Sequence, residues 1–250
     1  MDFGLNLFSI RDQVDTPEKF LATAHKLKAM GYSEIQCSAC PYDVELYKKV
    51  TAQVGMPVVL THVGYDRIIN DTDALMKEHE AFGCQNIGLG SMDCSKSDDE
   101  IKKQVEDLNN AARKMKERGF KFFYHNHNFE FKKMADGRFI MDYLIEEGDA
   151  INFTLDTYWL AFAKADLTEY ITKMSGRIGC VHLKDGKFVK DDYYEIAPVG
   201  SGWLDFADLV PKMINAGTKH FIVEQDNAPD KGDSLGQVNM SIDWLKKNLG

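Results

Sequence analysis

The sequence predicts a single-domain (β/α)8 barrel of class α/β spanning residues 1–250, and three observations lead there. Short apolar runs rich in β-formers alternate with stretches of helical periodicity, the alternation repeats eight times, and 250 residues suffice to wrap eight such units around one core. A doubly wound open sheet is the second reading of the same alternation. No repeat, linker or low-complexity segment divides the chain.

In order, Leu5 to Ile10 reads as the first strand. Thr16-Pro17 then opens a helix, with Pro at the first helical position, that runs through Met30 to Gly31. Tyr32 to Cys37 is the second strand, Asp43 to Val54 a helix, and Val58 to His62 the third strand. Asp71 to Phe82 is helical, Asn86 to Leu89 is the fourth strand, and Asp98 to Arg118 is a long charged helix stopped by Gly119. Phe120 to His127 is the fifth strand, followed by a turn at Asp136-Gly137 and a helix from about Phe139. The remaining units are strand Ile151 to Leu155 with a helix from Asp166, strand Ile178 to Leu183 with a helix from Asp205, and strand Phe221 to Glu224 with a helix from about Ser234. Asp191 to Gly202, rich in acids, tyrosines and glycine, has no helical pattern and is expected to form a long loop or small hairpin after strand seven.

Thirty basic residues stand against 39 acidic ones, a net charge of −9, and no Lys/Arg cluster marks a nucleic-acid or membrane footprint. The first residues lack a basic segment leading into an apolar run, and no apolar run is long enough to cross a bilayer, so a cytoplasmic protein is expected. The five cysteines are odd in number and scattered, and read as free thiols. Cys37-Ser38-Ala39-Cys40 has redox or half-zinc spacing but no second pair to complete a site.

Barrel active sites form at the C-terminal ends of the strands, so the last residues of each strand are informative. Strand three ends at His62; strand five at His125 and His127, with Glu130 beyond; strand six at Asp156. Strand seven ends at His182, with Lys184 and Asp185 following, and strand eight at Glu224 with Asp226. The two-residue spacing of His125 and His127 would aim both to one side of a strand. Carboxylates and imidazoles converging on one point suit a divalent ion such as Mn, Mg, Co or Zn. Without a cation such carboxylates repel one another and raise their own pKa values. Asp156, His182 and Glu224 are the expected ligands, whereas His62 reads equally well as a packed core histidine.

Several motifs, in order, carry a resemblance. They are Leu7-Phe8-Ser9-Ile10-Arg11-Asp12, Met30-Gly31-Tyr32, Leu60-Thr61-His62 and Tyr124-His125-Asn126-His127 with Phe129-Glu130-Phe131. Leu155-Asp156-Thr157, Val181-His182-Leu183-Lys184-Asp185, Pro198-Val199-Gly200-Ser201-Gly202 and Ile222-Val223-Glu224-Gln225-Asp226 complete them. Over nearly its whole length the chain resembles the sugar phosphate isomerase/epimerase superfamily, the xylose-isomerase-like TIM barrels. The resemblance implies one divalent ion held by residues of strands five to eight, with Asp156, His182 and Glu224 matching the ligands of strands six, seven and eight. The family's strand-five Glu aligns with His125. The fourth ligand is then His125 itself or Glu130, and the preference of these ions for oxygen favours Glu130. Gln36 stands where many members carry Glu, and Trp159 where the epimerases often carry His.

The implied function is a metal-dependent isomerase or epimerase acting on a small sugar or keto-sugar through an enediolate, with His125, His127 and Glu224 as proton carriers. Arg11, His62, Tyr158, Trp159, Lys184 and Asp185 are the expected substrate contacts. The same site would serve a dehydratase or other lyase. An abasic-site endonuclease is disfavoured by the negative charge and the single ligand set. A non-catalytic sugar-binding barrel, or one subunit of a homo- or hetero-oligomer, is a further class.

Overall fold

The computed structural model describes residues 1–190 and 193–250. Its strands are β1 Gly4–Asn6, β2 Glu34–Cys37, β3 Val58–His62, β4 Asn86–Leu89, β5 Lys121–His125, β6 Asn152–Asp156 and β7 Ile178–Leu183, then the pair β8 Asp185–Lys190 and β9 Tyr193–Ala197, and finally β10 His220–Val223. Eight of these close into a parallel barrel in the order β1-β10-β7-β6-β5-β4-β3-β2, while β8 and β9 form a separate antiparallel hairpin. The helices are α1 Pro17–Met30, α2 Val44–Lys49, α3 Tyr65–Asn70, α4 Thr72–Ala81, α5 Asp98–Glu117, α6 Ile140–Glu147, α7 Thr157–Phe162, α8 Leu167–Lys173, α9 Phe206–Asn215 and α10 Ser234–Leu249. None is long and apolar enough to cross a membrane, among the described residues.

The local signals act as expected where they are strongest. Thr16 caps α1 by accepting from the Lys19 amide, Pro17 occupies the first turn, and Gly31 closes the helix at φ 102°, a left-handed conformation that favours glycine. Helix α5 buries Ile101, Val105, Leu108, Ala112 and Met115, one stripe at three- and four-residue spacing, against the barrel. Each of the larger ones, Ile101, Val105, Leu108 and Met115, contributes about 1.5–3 kcal/mol when removed from water.

Strand alternation divides the apolar residues between two cores. Leu60, Phe123 and Cys180 form a small cluster separate from the main core, as befits side chains inside the barrel. Two residues further along the same strands, alternation aims His62, His125 and His182 inward as well, at the C-terminal mouth. By the same rule Asn6, Gln36, Asp156 and Glu224 join this top layer.

Strand ends differ from the expected ones where side chains compete for the backbone. β1 stops at Asn6, because the Asn6 carboxamide oxygen accepts from the Phe8 amide and turns Leu7–Gln13 into 3-10 geometry. β5 stops at His125, so His127 lies beyond the strand and is not a same-face neighbour of His125 within it. β6 runs on to Asp156, whose carboxylate caps α7, a helix the periodicity did not reveal. The hairpin after β7 begins at Asp185, earlier than the expected Asp191; Asp191 and Asp192 lie outside the described residues.

Asp185 is what shapes that hairpin. Fully buried, its carboxylate accepts from the amides of Gly186 at 2.8 Å, Gly200 at 3.0 Å, Gly202 at 2.9 Å and Leu204 at 3.3 Å. All its acceptor capacity is turned to the backbone, which corrects its expected role as a substrate contact. A Cβ at Gly202 would overlap both the Asp185 carboxylate and the Gly186 carbonyl oxygen. Gly202→Ala is therefore expected to cost about 1–3 kcal/mol, and an unchanged urea midpoint would count against this clamp.

Candidate active site

At the mouth, one ligand atom from each of His125, Asp156, His182 and Glu224 lies within 4.8 Å of the other three, and all four residues are buried. The hydrogen bonds around the two histidines assign their tautomers. His125 Nδ1 faces the Gly90 carbonyl oxygen at 3.1 Å and must donate to it, which leaves Nε2 as the lone-pair nitrogen. His182 Nε2 donates to Gln36 Oε1 at 2.8 Å, which leaves Nδ1. When neutral, both imidazoles thus turn a lone pair toward the carboxylates. His125 Nε2 is 3.2 Å from Asp156 Oδ2 and 3.1 Å from His182 Nδ1, which in turn is 2.8 Å from Glu224 Oε2. With both imidazoles neutral, four acceptors would face one another, an arrangement that a shared cation relieves. Glu224 Oε2 makes no hydrogen bond of good direction although two cationic groups stand at ion-pair distance. These residues fit a divalent ion, and the outward donations from His125 and His182 are the supporting bonds that orient metal-binding histidines.

Protons and an ammonium balance the ligand charges in the metal-free protein. Burial lowers the pKa of His182, but the Glu224 and Asp156 carboxylates outweigh it and bring the group up to about 9. An ion bound through Nδ1 would therefore expel a proton. Burial and the neighbouring His182 lower His125, and burial, with the His125 ring beside it, takes His127 down to about 3. Desolvation, followed by the charges of His125 and His182, also lowers His62.

The four clustered side chains are anchored by neighbouring residues of the mouth. Asn6 Nδ2 donates to Glu224 Oε1 at 2.5 Å, the Asn126 side-chain oxygen accepts from the Asp156 amide at 2.9 Å, and Asp156 Oδ1 accepts from the Trp159 amide at 2.9 Å. Gln36 bridges His182 and His62, with Nε2 3.1 Å from His62 Nε2. Asn6 is the last residue of β1, which ends four residues before the expected Ile10, and so it belongs to the same strand-end layer.

Glu130, the favoured fourth ligand, is not in the cluster, and His125 stands there in its place. The 3-10 turn Phe129–Phe131 swings the Glu130 carboxylate back, where it accepts from the Tyr124 hydroxyl at 2.6 Å and the His127 amide at 2.8 Å. Burial raises its pKa to about 7. The expected substrate contacts also separate. Phe8, Ser38, His62, His127, Lys184 and Asp226 line a cavity of about 230 Å³ that reaches His125 and Glu224, which suits a small molecule. Arg11 instead donates to the carbonyl oxygens of Phe8 and Asp226, each at 2.9 Å, tying the β1 and β10 loops together. Tyr158 is buried in ring contact with Trp159, Phe162 and Trp203, so it supports the mouth without lining the cavity. Trp159 packs its ring 5.3 Å from Lys184 Nζ and 5.6 Å from His127.

A family model described as xylose isomerase-like TIM barrel matches residues 43–248. The chain belongs to this family. Among solved structures, the xylose isomerase-like barrel is similar to a sugar phosphate isomerase/epimerase from Parabacteroides distasonis ATCC 8503, with 24% identity over 98% of each chain and a TM-score of 0.80. It is also similar to a xylose isomerase-like TIM barrel protein from Mycobacterium smegmatis in complex with magnesium, at 13% identity over 99% of this chain and 96% of that one, TM-score 0.76. An L-ribulose 3-epimerase is 17% identical over 100% of this chain and 95% of that one, TM-score 0.73. At these identities the likeness is one of fold. No curated protein matches the chain.

Proposed function

We propose that this xylose isomerase-like barrel is a divalent-metal-dependent isomerase or epimerase of a small sugar or keto-sugar. The observation that carries the reading is the facing of four acceptor atoms, from His125, Asp156, His182 and Glu224, beside a small polar cavity. A bound divalent ion would polarise the substrate carbonyl and stabilise negative charge on its oxygen.

This chain's own residues would do the rest. His127 is the proposed proton carrier, available as a neutral base because burial disfavours its protonation: its ring lines the cavity and is fixed between His125, at 4.5 Å, and Phe129, stacked at 4.8 Å. Lys184 and His62 line the cavity and would take substrate hydroxyl or carbonyl oxygens. Glu224 Oε2 lies 3.9 Å from Nε2 of His125, which stands where a two-carboxylate epimerase would carry Glu. That asymmetry favours a second reading, elimination of a β-substituent as in a dehydratase or lyase, with His127 as the single base.

The test is incubation with keto- and aldo-sugars in deuterated water, followed by NMR. Deuterium entering the carbon next to the carbonyl is expected, stopped by EDTA and slowed about 10²–10⁴-fold by His127→Ala. Products of unchanged mass apart from solvent hydrogen indicate isomerisation, and loss of water or a leaving group indicates the second reading. Exchange that survives both EDTA and His127→Ala would defeat the proposal.

A further inference from the structure

The ligand carboxylates already hold a cation of the chain's own. Lys184 is 1% exposed, and its Nζ lies 2.9 Å from Asp156 Oδ2 and 2.8 Å from Glu224 Oε2. These are the same two oxygens that face His125 and His182. An ion bonded to both would sit beside an ammonium in a site with little water to screen them, and two such cations repel strongly at that range.

A third carboxylate stands ready to receive the displaced ammonium. Asp226 Oδ1 is 3.0 Å and Oδ2 3.2 Å from Lys184 Nζ, and neither oxygen belongs to the ligand cluster. Asp226 is the most open of the three partners, 28% exposed and on the cavity wall. The Trp159 ring gives Nζ a further contact that does not depend on the ligand carboxylates.

We propose that Lys184 is a resident counter-cation of the metal centre, which an incoming divalent ion displaces from Asp156 and Glu224 onto Asp226, so that the Lys184–Asp226 pair sets the ion affinity. The inference rests on the metal reading above and adds a consequence for the reaction. With the ion in place, the ammonium is held by one carboxylate on the cavity wall, where it can donate to a substrate oxygen. Ion loading and substrate binding are then coupled through one side chain.

The experiment is calorimetric titration of EDTA-stripped protein with MnCl2. Lys184→Met is expected to bind Mn²⁺ at least tenfold more tightly than the unchanged protein. Asp226→Asn is expected to bind about threefold to tenfold more weakly, and to have much less effect when combined with Lys184→Met, because Asp226 acts through Lys184. Thermal unfolding supplies a second readout: without metal, Lys184→Met should melt below the unchanged protein, and Mn²⁺ should raise its midpoint by more. Equal or weaker Mn²⁺ binding by Lys184→Met overturns the proposal, as does an Asp226→Asn effect that is undiminished in the double variant. Should Lys184→Met not fold, unchanged affinity in Asp226→Asn overturns it too. Absence of Mn²⁺ binding in all the proteins, the unchanged one included, overturns the metal centre itself.

Discussion

Replacing Asp156 by Ala is expected to abolish ion binding and to destabilise the metal-free protein by about 3–5 kcal/mol. The residue is fully buried, and its two oxygens do separate work. Oδ2 meets Lys184 Nζ at 2.9 Å and His125 Nε2 at 3.2 Å, while Oδ1 caps α7 through the Trp159 amide. Truncation leaves the buried ammonium with two carboxylates instead of three and removes the cap, itself worth about 1 kcal/mol. Asp156→Asn separates the effects. It keeps the volume and the capping oxygen, so more of the stability should survive while the ion is still lost. Urea unfolding measures the first quantity and Mn²⁺ calorimetry the second. Unaltered Mn²⁺ affinity in Asp156→Ala would remove this residue from the centre.

The second large effect is a pH dependence of stability seated at Glu130. Burial raises its pKa from the ordinary 4.5 to about 7, against the hydrogen bonds from Tyr124 and the His127 amide, which favour the charged form. Between those values the folded protein keeps a proton that the unfolded chain has lost. Its contribution is therefore fully present below pH 4.5 and disappears as the pH rises through about 7. At 1.36 kcal/mol per pH unit the difference amounts to about 3 kcal/mol. Glu130→Gln cannot titrate, so the gap in unfolding free energy between it and the unchanged protein, both stripped of metal, should shift in favour of the variant from pH 4.5 to pH 8. A gap that stays constant across that range would show that Glu130 does not hold its proton.

How much of this was legible in the chain depends on the range of the physics involved. Strand β4, Asn86–Leu89, and strand β7, Ile178–Leu183, fall where the apolar pattern puts them. Their periodicity and their glycine and helix boundaries are local signals. Asp156, His182 and Glu224 were likewise readable, since a polar residue closing an apolar strand is visible without coordinates. Helix α7 was not, because its cap is the same Asp156 that ends β6, and one residue serving two elements erases the boundary between them. Asp185 read as part of a strand-end cluster, but four backbone amides from the following loop claim it.

What the sequence determined by itself is the barrel and the strand-end layer. Alternation with period two, set against helices with period 3.6, leaves few other ways to bury both faces of eight short strands. What only the tertiary structure decided is which donors meet. Ending β5 at His125 and winding Phe129–Phe131 into a 3-10 turn puts an imidazole into the ligand cluster and turns Glu130 to Tyr124. Likewise only the closed barrel brings Lys184 of the β7 end against Asp156, Glu224 and Asp226 from its two neighbours. Which side chains share the mouth depends on ångström distances between strands, and those distances exist once the barrel has closed.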